Sequence, residues 1–346
     1  MKLYLDNGYL NIPGIIENDY VFNLVVGARG IGKSYGALKY AKEKNIKFMF
    51  SRRTQEQVNL IKQPVFNPYK ALNNDMHWNV QVAPIGPKVF GFYDSFRDID
   101  SGEYHMDNVP FGIIAAVSTF SNMRGFDASD VKLWIYDEFI KESKDKPIKE
   151  EGKAILNMYE SMNRNRELKG EPPIKFQAMA NSEDIANPLM IELGLVTVAT
   201  RMQKNHQEQY FDKERSIALY LPQRSPISQQ KAETALYKLT KYSQFNKMAL
   251  DNEFVDVDLT LVRSARLSEY RPLVRVGEIT VYQHKAGNQY YVTDHHSGQC
   301  QTYTSGATDL KRFLRSYSWL WNAYLNGRVY FEEYLFQVLL EKYFGM

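Results

Sequence analysis

The chain has 346 residues, 44% of them apolar and 14% aromatic, and a formal net charge of +3. That composition excludes a disordered chain and, at this length, favours two domains over one. The single Cys300 excludes an intramolecular disulfide, no Cys/His cluster has zinc-ligand spacing, and no apolar run approaches the roughly 18 residues of a membrane span, so a soluble chain in a reducing intracellular compartment is expected. The N-terminal M-K-L-Y-L-D-N-G-Y-L has neither the apolar core nor the cleavage site of a secretory leader. The positive excess lies wholly after Leu259 and is too small on its own to indicate a nucleic-acid partner.

In chain order, apolar β-rich runs alternate with helical patterns: Val21 to Val26, a helix from Lys33, Ile46 to Phe50, Phe111 to Val117, Val131 to Tyr136, a helix from Gly152 to Asn163, and Ile174 to Ala180. Continuous apolar strands separated by helices predict an α/β domain whose mostly parallel sheet is covered on both faces. Within the polar stretch Thr54 to Pro110, Lys88 to Tyr93 reads as an edge strand. Ser225-Pro226 has the form of an N-cap followed by a first-turn proline. Behind it Ala232, Ala235, Leu236, Leu239, Tyr242, Phe245 and Ala249 recur at helical spacing, which predicts a small helical linker. Further on, Ile279 to His284 and Gln289 to Thr293 flank Lys285-Ala-Gly-Asn288 as a hairpin, followed by aromatic-rich helices near 308–325 and 329–344. The expected domains are therefore 1–226, 227–258 as a helical linker, and 259–346 as a small α+β domain.

The strongest motif is Gly27-Ala-Arg29-Gly30-Ile31-Gly32-Lys33-Ser34, followed by Tyr35, placed between an apolar strand and a helix. It matches the phosphate-binding loop G-x4-G-K-[ST] in the required context. Its backbone N–H groups would wrap phosphate oxygens, Lys33 would reach the β- and γ-phosphates of ATP, and the Ser34 hydroxyl would bind Mg²⁺. Leu133 to Tyr136 followed by Asp137-Glu138 reads as the second nucleotide motif, at the carboxyl end of a parallel strand. Asp137 would serve the metal, and Glu138 would polarise the attacking water, which favours hydrolysis over simple nucleotide switching. The long spacing from Lys33 to Asp137 suits the additional-strand (ASCE) group of P-loop ATPases. In that group the strand after the acid pair often ends in a polar sensor; Asn181 stands there, with a turn or cap asparagine as the plain alternative.

Several arginines admit two readings. Arg164 and Arg166, at the end of the helix after Glu138, suit a helix C-terminus, yet Arg164 could also be a finger reaching the γ-phosphate of a neighbouring subunit. Arg124, in the polar loop before the acid pair, is a candidate for contacts in trans or with DNA. Arg52-Arg53 could meet nucleotide or a neighbour, or form a solvated pair.

With these motifs the chain resembles the DNA-packaging (encapsidation) ATPases of small short-tailed bacteriophages of the Salasvirus-like group, related to the ATPase subunits of large terminases. The resemblance covers most of the chain and rests on Val25 to Tyr35, the F-x-R-R strand end Phe50 to Arg53, Y-D-E-F-I at Tyr136 to Ile140, R-N-R-E at Arg164 to Glu167, Ala180-Asn181, Asn187-Pro188 and L-D-N-x-F at Leu250 to Phe254. It implies Lys33 and Ser34 on nucleotide and metal, Asp137 on Mg²⁺, Glu138 as catalytic glutamate, Arg164 as the finger and Arg124 at a subunit contact. It further implies a pentameric ring at the portal vertex of a procapsid in the host cytoplasm, driving double-stranded DNA inward. The C-terminal domain would resemble an RNase H-like nuclease that has lost cleavage. After Leu259 only Glu269, Glu278, Asp294, Asp309, Glu332, Glu333 and Glu341 are available as acids, and His295-His296 reads as a solvated turn. Some relatives employ a structural RNA; that partner stays open, as do the alternatives of another ring-forming nucleic-acid translocase or helicase and of a non-catalytic ATP-binding assembly factor.

Overall fold

The apolar runs of the first two-thirds of the chain assemble into one sheet in a computed structural model, which describes residues 2–98, 104–120, 128–142, 145–223, 225–252, 254 and 257–345. In chain order its strands are β1 (Phe22–Val26), β2 (Phe48–Arg52), β3 (Val80–Gly86), β4 (Val89–Arg97), β5 (Tyr104–Met106), β6 (Gly112–Ala116), β7 (Leu133–Asp137), β8 (Lys175–Ala180), β9 (Gln209–Asp212) and β10 (Ile217–Tyr220). Their spatial order is β3-β4-β6-β2-β7-β8-β1-β10-β9, with β5 attached to β4. From β6 to β10 the neighbours pair in parallel, while β4, β3 and β9 join by antiparallel pairing. Every residue of β6 and β7 is buried, as a strand sandwiched between helical layers must be.

The position of β8 fixes the site. It lies between β1 and β7, pairing Ala180 with Val26 and Met179 with Asp137. Three strand ends therefore finish on one line, and the glycine-rich loop, Asn181 and the acid pair all leave the same edge of the sheet, where parallel α/β folds bind ligands.

The sheet corrects one sequence expectation. The strand at Lys88 to Tyr93 is real, as β4, but it is interior because β3 covers its outer side. Pro84 in β3 conceals that strand in the sequence; on an outer strand its missing N–H leaves no ladder bond unmade.

Contacts divide the chain into one unit of Met1–Leu193 with Arg201–Asp256 and another of Gly194–Thr200 with Val257–Met346. The helical segment expected after Ser225 belongs to the first unit. Ser225 accepts a hydrogen bond from the Ser228 N–H at 3.1 Å, with Pro226 in the first turn. The apolar stripe, however, is not one buried face. The segment breaks into Pro226–Ala232, Ala235–Leu239 and turns up to Asp251, because the chain restarts a helix at Thr234. Leu239 and Tyr242 are left 84% and 92% exposed, and Tyr237, Ala249 and Leu250 pack together instead.

The second unit holds β11 (Tyr270–Val276), β12 (Ile279–His284), β13 (Tyr290–Thr293), β14 (Gln301–Tyr303) and β15 (Val329–Phe331), in the order β14-β11-β12-β13-β15. The expected hairpin is β12–β13, extended by β11 into an antiparallel meander with a parallel strand on each side. Helices Ala307–Leu325 and Tyr334–Phe344 bury Phe313, Leu320 and Leu340 against Val274, Val281, Val292 and Phe331. The second helix begins later than expected, since Val329–Phe331 forms the edge strand beside β13. Among the described residues no helix is long and apolar enough to cross a membrane.

Candidate active site

The glycine-rich loop leaves β1 at Val26 and enters the helix Lys33–Glu43 through Gly32, which caps it in the left-handed region at φ 90°. A Cβ at Gly32 would stand 3.1 Å from the Tyr9 ring, so both conformation and space require glycine there. Lys33 is buried, and its Nζ donates to Gly27 O and Ala28 O, both at 2.7 Å, and to Asn181 Oδ1 at 3.1 Å. The ammonium thus rests on the carbonyls of its own loop. Burial pushes its pKa down to about 7, opposed by Asp137 and Glu138 and assisted by Lys231 and Arg29.

Ser34 Oγ donates to Asp137 Oδ1 at 2.8 Å. A hydroxyl beside a buried carboxylate is the hard-oxygen donor set that Mg²⁺ takes together with nucleotide phosphates, so these residues fit that ion. The other Asp137 oxygen lies 2.8 Å from Arg52 Nη2, and the same guanidinium pairs with Glu138. Glu138 follows the strand at φ 57°, an uncommon conformation for a non-glycine residue, which turns its half-exposed side chain off the strand line. Burial raises its pKa; Arg52 opposes that rise and Asp137 adds to it.

Lys33, Ser34, Asp137 and Glu138 line a cavity of about 360 Å³ with Arg29, Gly30, Gly32, Tyr35 and Asn181. A second cavity, of about 520 Å³, shares Gly30, Gly32 and Tyr35 and is more apolar, with Leu5, Tyr9 and Tyr40 in its wall and Asp75 at its rim. Tyr35 donates to Asp75 at 3.0 Å.

The remaining arginines separate. Arg29, from within the loop, meets Glu142 and Glu183, each at 3.2 Å. Arg53 is neither solvated nor turned to the nucleotide side: 1% exposed, it holds Glu151 by two bonds of 2.7 and 2.9 Å. Arg166 is likewise buried, donating to Ser129 O, so its side chain is committed within the chain. Arg164 is exposed just past the helix Glu151–Asn163, at φ 48°. Arg124 lies outside the described residues. In the smaller unit Asp294, His295 and Glu332 bring ligand atoms within 4.8 Å of one another; the pair His295-His296 is exposed, with His296 bonded to Thr280.

Sequence reasoning missed what Arg52 does in its own chain. It follows from a register the sequence does not carry: β2 and β7 pair at Ser51 and Tyr136, which sets Arg52 beside Asp137. Tyr9, Lys231 and Asn252 were also missed, since each reaches the loop from distant sequence.

A glycine-rich loop between a parallel strand and a helix, with an acid pair two strands away and an extra strand between them, defines the additional-strand class of P-loop nucleotide-binding folds. Within that class the chain belongs to the Podovirus DNA encapsidation protein (Gp16) family, whose model matches residues 6–324. It is 24% identical to the DNA packaging protein of Bacillus phage B103 over 345 residues, covering 94% of this chain and 97% of that one. The DNA packaging protein of Bacillus phage phi29 is 23% identical over 252 residues, covering 71% of this chain and 66% of that one. Among solved structures, the fold matches a chain of the bacteriophage Phi-29 viral genome packaging motor assembly with a TM-score of 0.66, at 17% identity and 99% coverage of both. A chain of the Phi-28 gp11 DNA packaging motor matches with a TM-score of 0.61, at 16% identity, covering 98% and 97%.

Proposed function

We propose that this chain hydrolyses ATP and uses the energy to move double-stranded viral DNA into a procapsid. The observation that carries the proposal is the convergence of Lys33, Ser34, Asn181, Asp137 and Glu138 on three neighbouring strand ends, with Ser34 Oγ only 2.8 Å from Asp137. Ser34 and Asp137 would hold Mg²⁺, which neutralises phosphate charge when bound. Lys33 leaves the Gly27 and Ala28 carbonyls for the β- and γ-phosphates. Glu138, released from Arg52, accepts a hydrogen bond from the attacking water and sets it in line. Asn181 contacts the terminal phosphate side from β8. The second cavity takes the base, with Tyr9 and Tyr35 supplying apolar wall and Asp75 an acceptor for an exocyclic amine.

Arg164 acts in trans, completing the site of the next subunit in a ring docked at the portal. Grip on DNA is phosphate-directed and steeply salt-dependent, because a packaging motor must accept every sequence. The smaller unit docks nucleic acid or the portal and does not cleave. The test is ATP turnover and DNA uptake with purified procapsids: Glu138→Gln should bind ATP yet lose turnover by about 10²-fold or more. Turnover left intact would remove Glu138 from the chemistry.

A further inference from the structure

Two side chains from the helical segment after Ser225 grip the glycine-rich loop, and neither touches the cavity where phosphates would lie. Lys231 Nζ donates to Arg29 O, near the tip of the loop, and sits 5.1 Å from the centre of the Tyr237 ring. Gly30, at φ 70°, leaves the room this requires: a Cβ there would come within 3.0 Å of Lys231 Nζ. At the other end, Asn252 is 2% exposed and donates Nδ2 to Val26 O at 2.8 Å, at the last residue of β1. Asn252 holds the left-handed conformation at φ 58°, and Asn246 secures the intervening turns by donating to Tyr237 O at 2.9 Å. The segment is thus fastened to the root and the tip of the loop.

The geometry points to Lys231 and Asn252 as positioning residues through which the helical segment registers whether the loop holds a triphosphate; this rests on the nucleotide reading of the loop. Peptide planarity links the two sides of the loop. Arg29 C=O and Gly30 N–H belong to one rigid plane. When Gly30 N–H turns toward a phosphate oxygen, Arg29 O must swing the opposite way, and the Lys231 ammonium bonded to it is drawn along or released. Lys33 moves at the same time, vacating Gly27 O and Ala28 O, so the loop carbonyls rearrange together. Asn252 keeps the root fixed, so the displacement falls on the helices between the two anchors.

The test is amide hydrogen exchange on the full-length chain with and without a non-hydrolysable ATP analogue and Mg²⁺. In the wild type, protection should change at residues 27–34 and also at 226–252. Lys231→Met with Asn252→Ala should bind the analogue within about threefold of wild type, keep the change at 27–34 and lose it at 226–252, while Lys231→Arg should restore it. A response confined to 27–34 in the wild type, or an undiminished response at 226–252 in the double variant, overturns the inference while leaving nucleotide binding intact. No response at 27–34 in the wild type would overturn the nucleotide reading and this inference together. Should the double variant fold poorly by its melting curve, Lys231→Met alone decides, with the same two outcomes.

Discussion

Arg52 Nη2 stands 2.8 Å from Asp137 Oδ2, and its guanidinium also holds Glu138, so one arginine occupies both acids of the site. Glu138 cannot take up its proposed work until that grip loosens. Arg52→Ala should therefore raise hydrolysis in the absence of DNA relative to the DNA-stimulated rate. Steady-state ATPase with and without DNA reads the ratio, and an unchanged ratio would mean that Arg52 does not restrain the acids.

Arg53, the next residue, is a matter of stability. Its bidentate pair with Glu151 is buried on both sides, and removing one partner strands a charge. Arg53→Ala should cost about 3–5 kcal/mol of unfolding free energy, whereas Arg53→Met with Glu151→Leu should cost much less. Urea denaturation midpoints distinguish the two, and equal losses would contradict the account.

If Lys33 takes the phosphates as proposed, nucleotide binding is a proton-coupled event. Its pKa is about 7 in the folded chain against an ordinary 10.5. Between those values the unfolded chain holds a proton that the folded site does not, so this group makes stability rise with pH across that window. A bound triphosphate favours the ammonium and restores the proton. Titration calorimetry at about pH 8.5 without magnesium, in two buffers of different ionisation enthalpy, should show uptake approaching one proton per site, absent in Lys33→Met.

The proposed finger role of Arg164 can be tested by mixing. Arg164→Ala subunits and Glu138→Gln subunits should each be nearly inactive, yet together restore some hydrolysis, because a mixed ring contains sites with an intact Glu138 faced by an intact Arg164. Absence of rescue in verified mixed assemblies would place Arg164 outside the site.

The proposed base pocket predicts a selective defect. Tyr9→Ala should raise the KM for ATP by about tenfold, the loss of one aromatic contact, and leave binding of inorganic triphosphate unchanged. Equal weakening of both would assign Tyr9 to packing against Gly32 alone.

The sheet centre and the site were legible because each rests on short-range pattern. Phe22–Val26 and Leu133–Asp137 are continuous apolar runs, and the loop between Val26 and Lys33 carries its glycines at fixed offsets. What escaped depends on partners far away in sequence. Val80–Gly86 hides behind Pro84, tolerated because the strand has a neighbour on one side only. Leu236, Leu239 and Tyr242 keep a helical period, but the helix they suggest is cut at Thr234, and no local rule reports that their apolar face goes uncovered. Lys231 and Asn252 look like ordinary surface residues until the chain brings them 202 and 226 positions back to the loop.

The two arginines that end and follow β2 illustrate what a strand does to neighbours in sequence. Arg52 faces the acids, whereas Arg53 reaches the first turn of the helix whose far end leads into Arg164. Deleting one residue within Phe48 to Ser51 would bring Arg53 to the acids and leave Glu151 without its arginine, whereas inserting one would carry Arg52 to Glu151 and leave the acids without theirs. The dipeptide is therefore intolerant of a frame change that most strand ends could absorb.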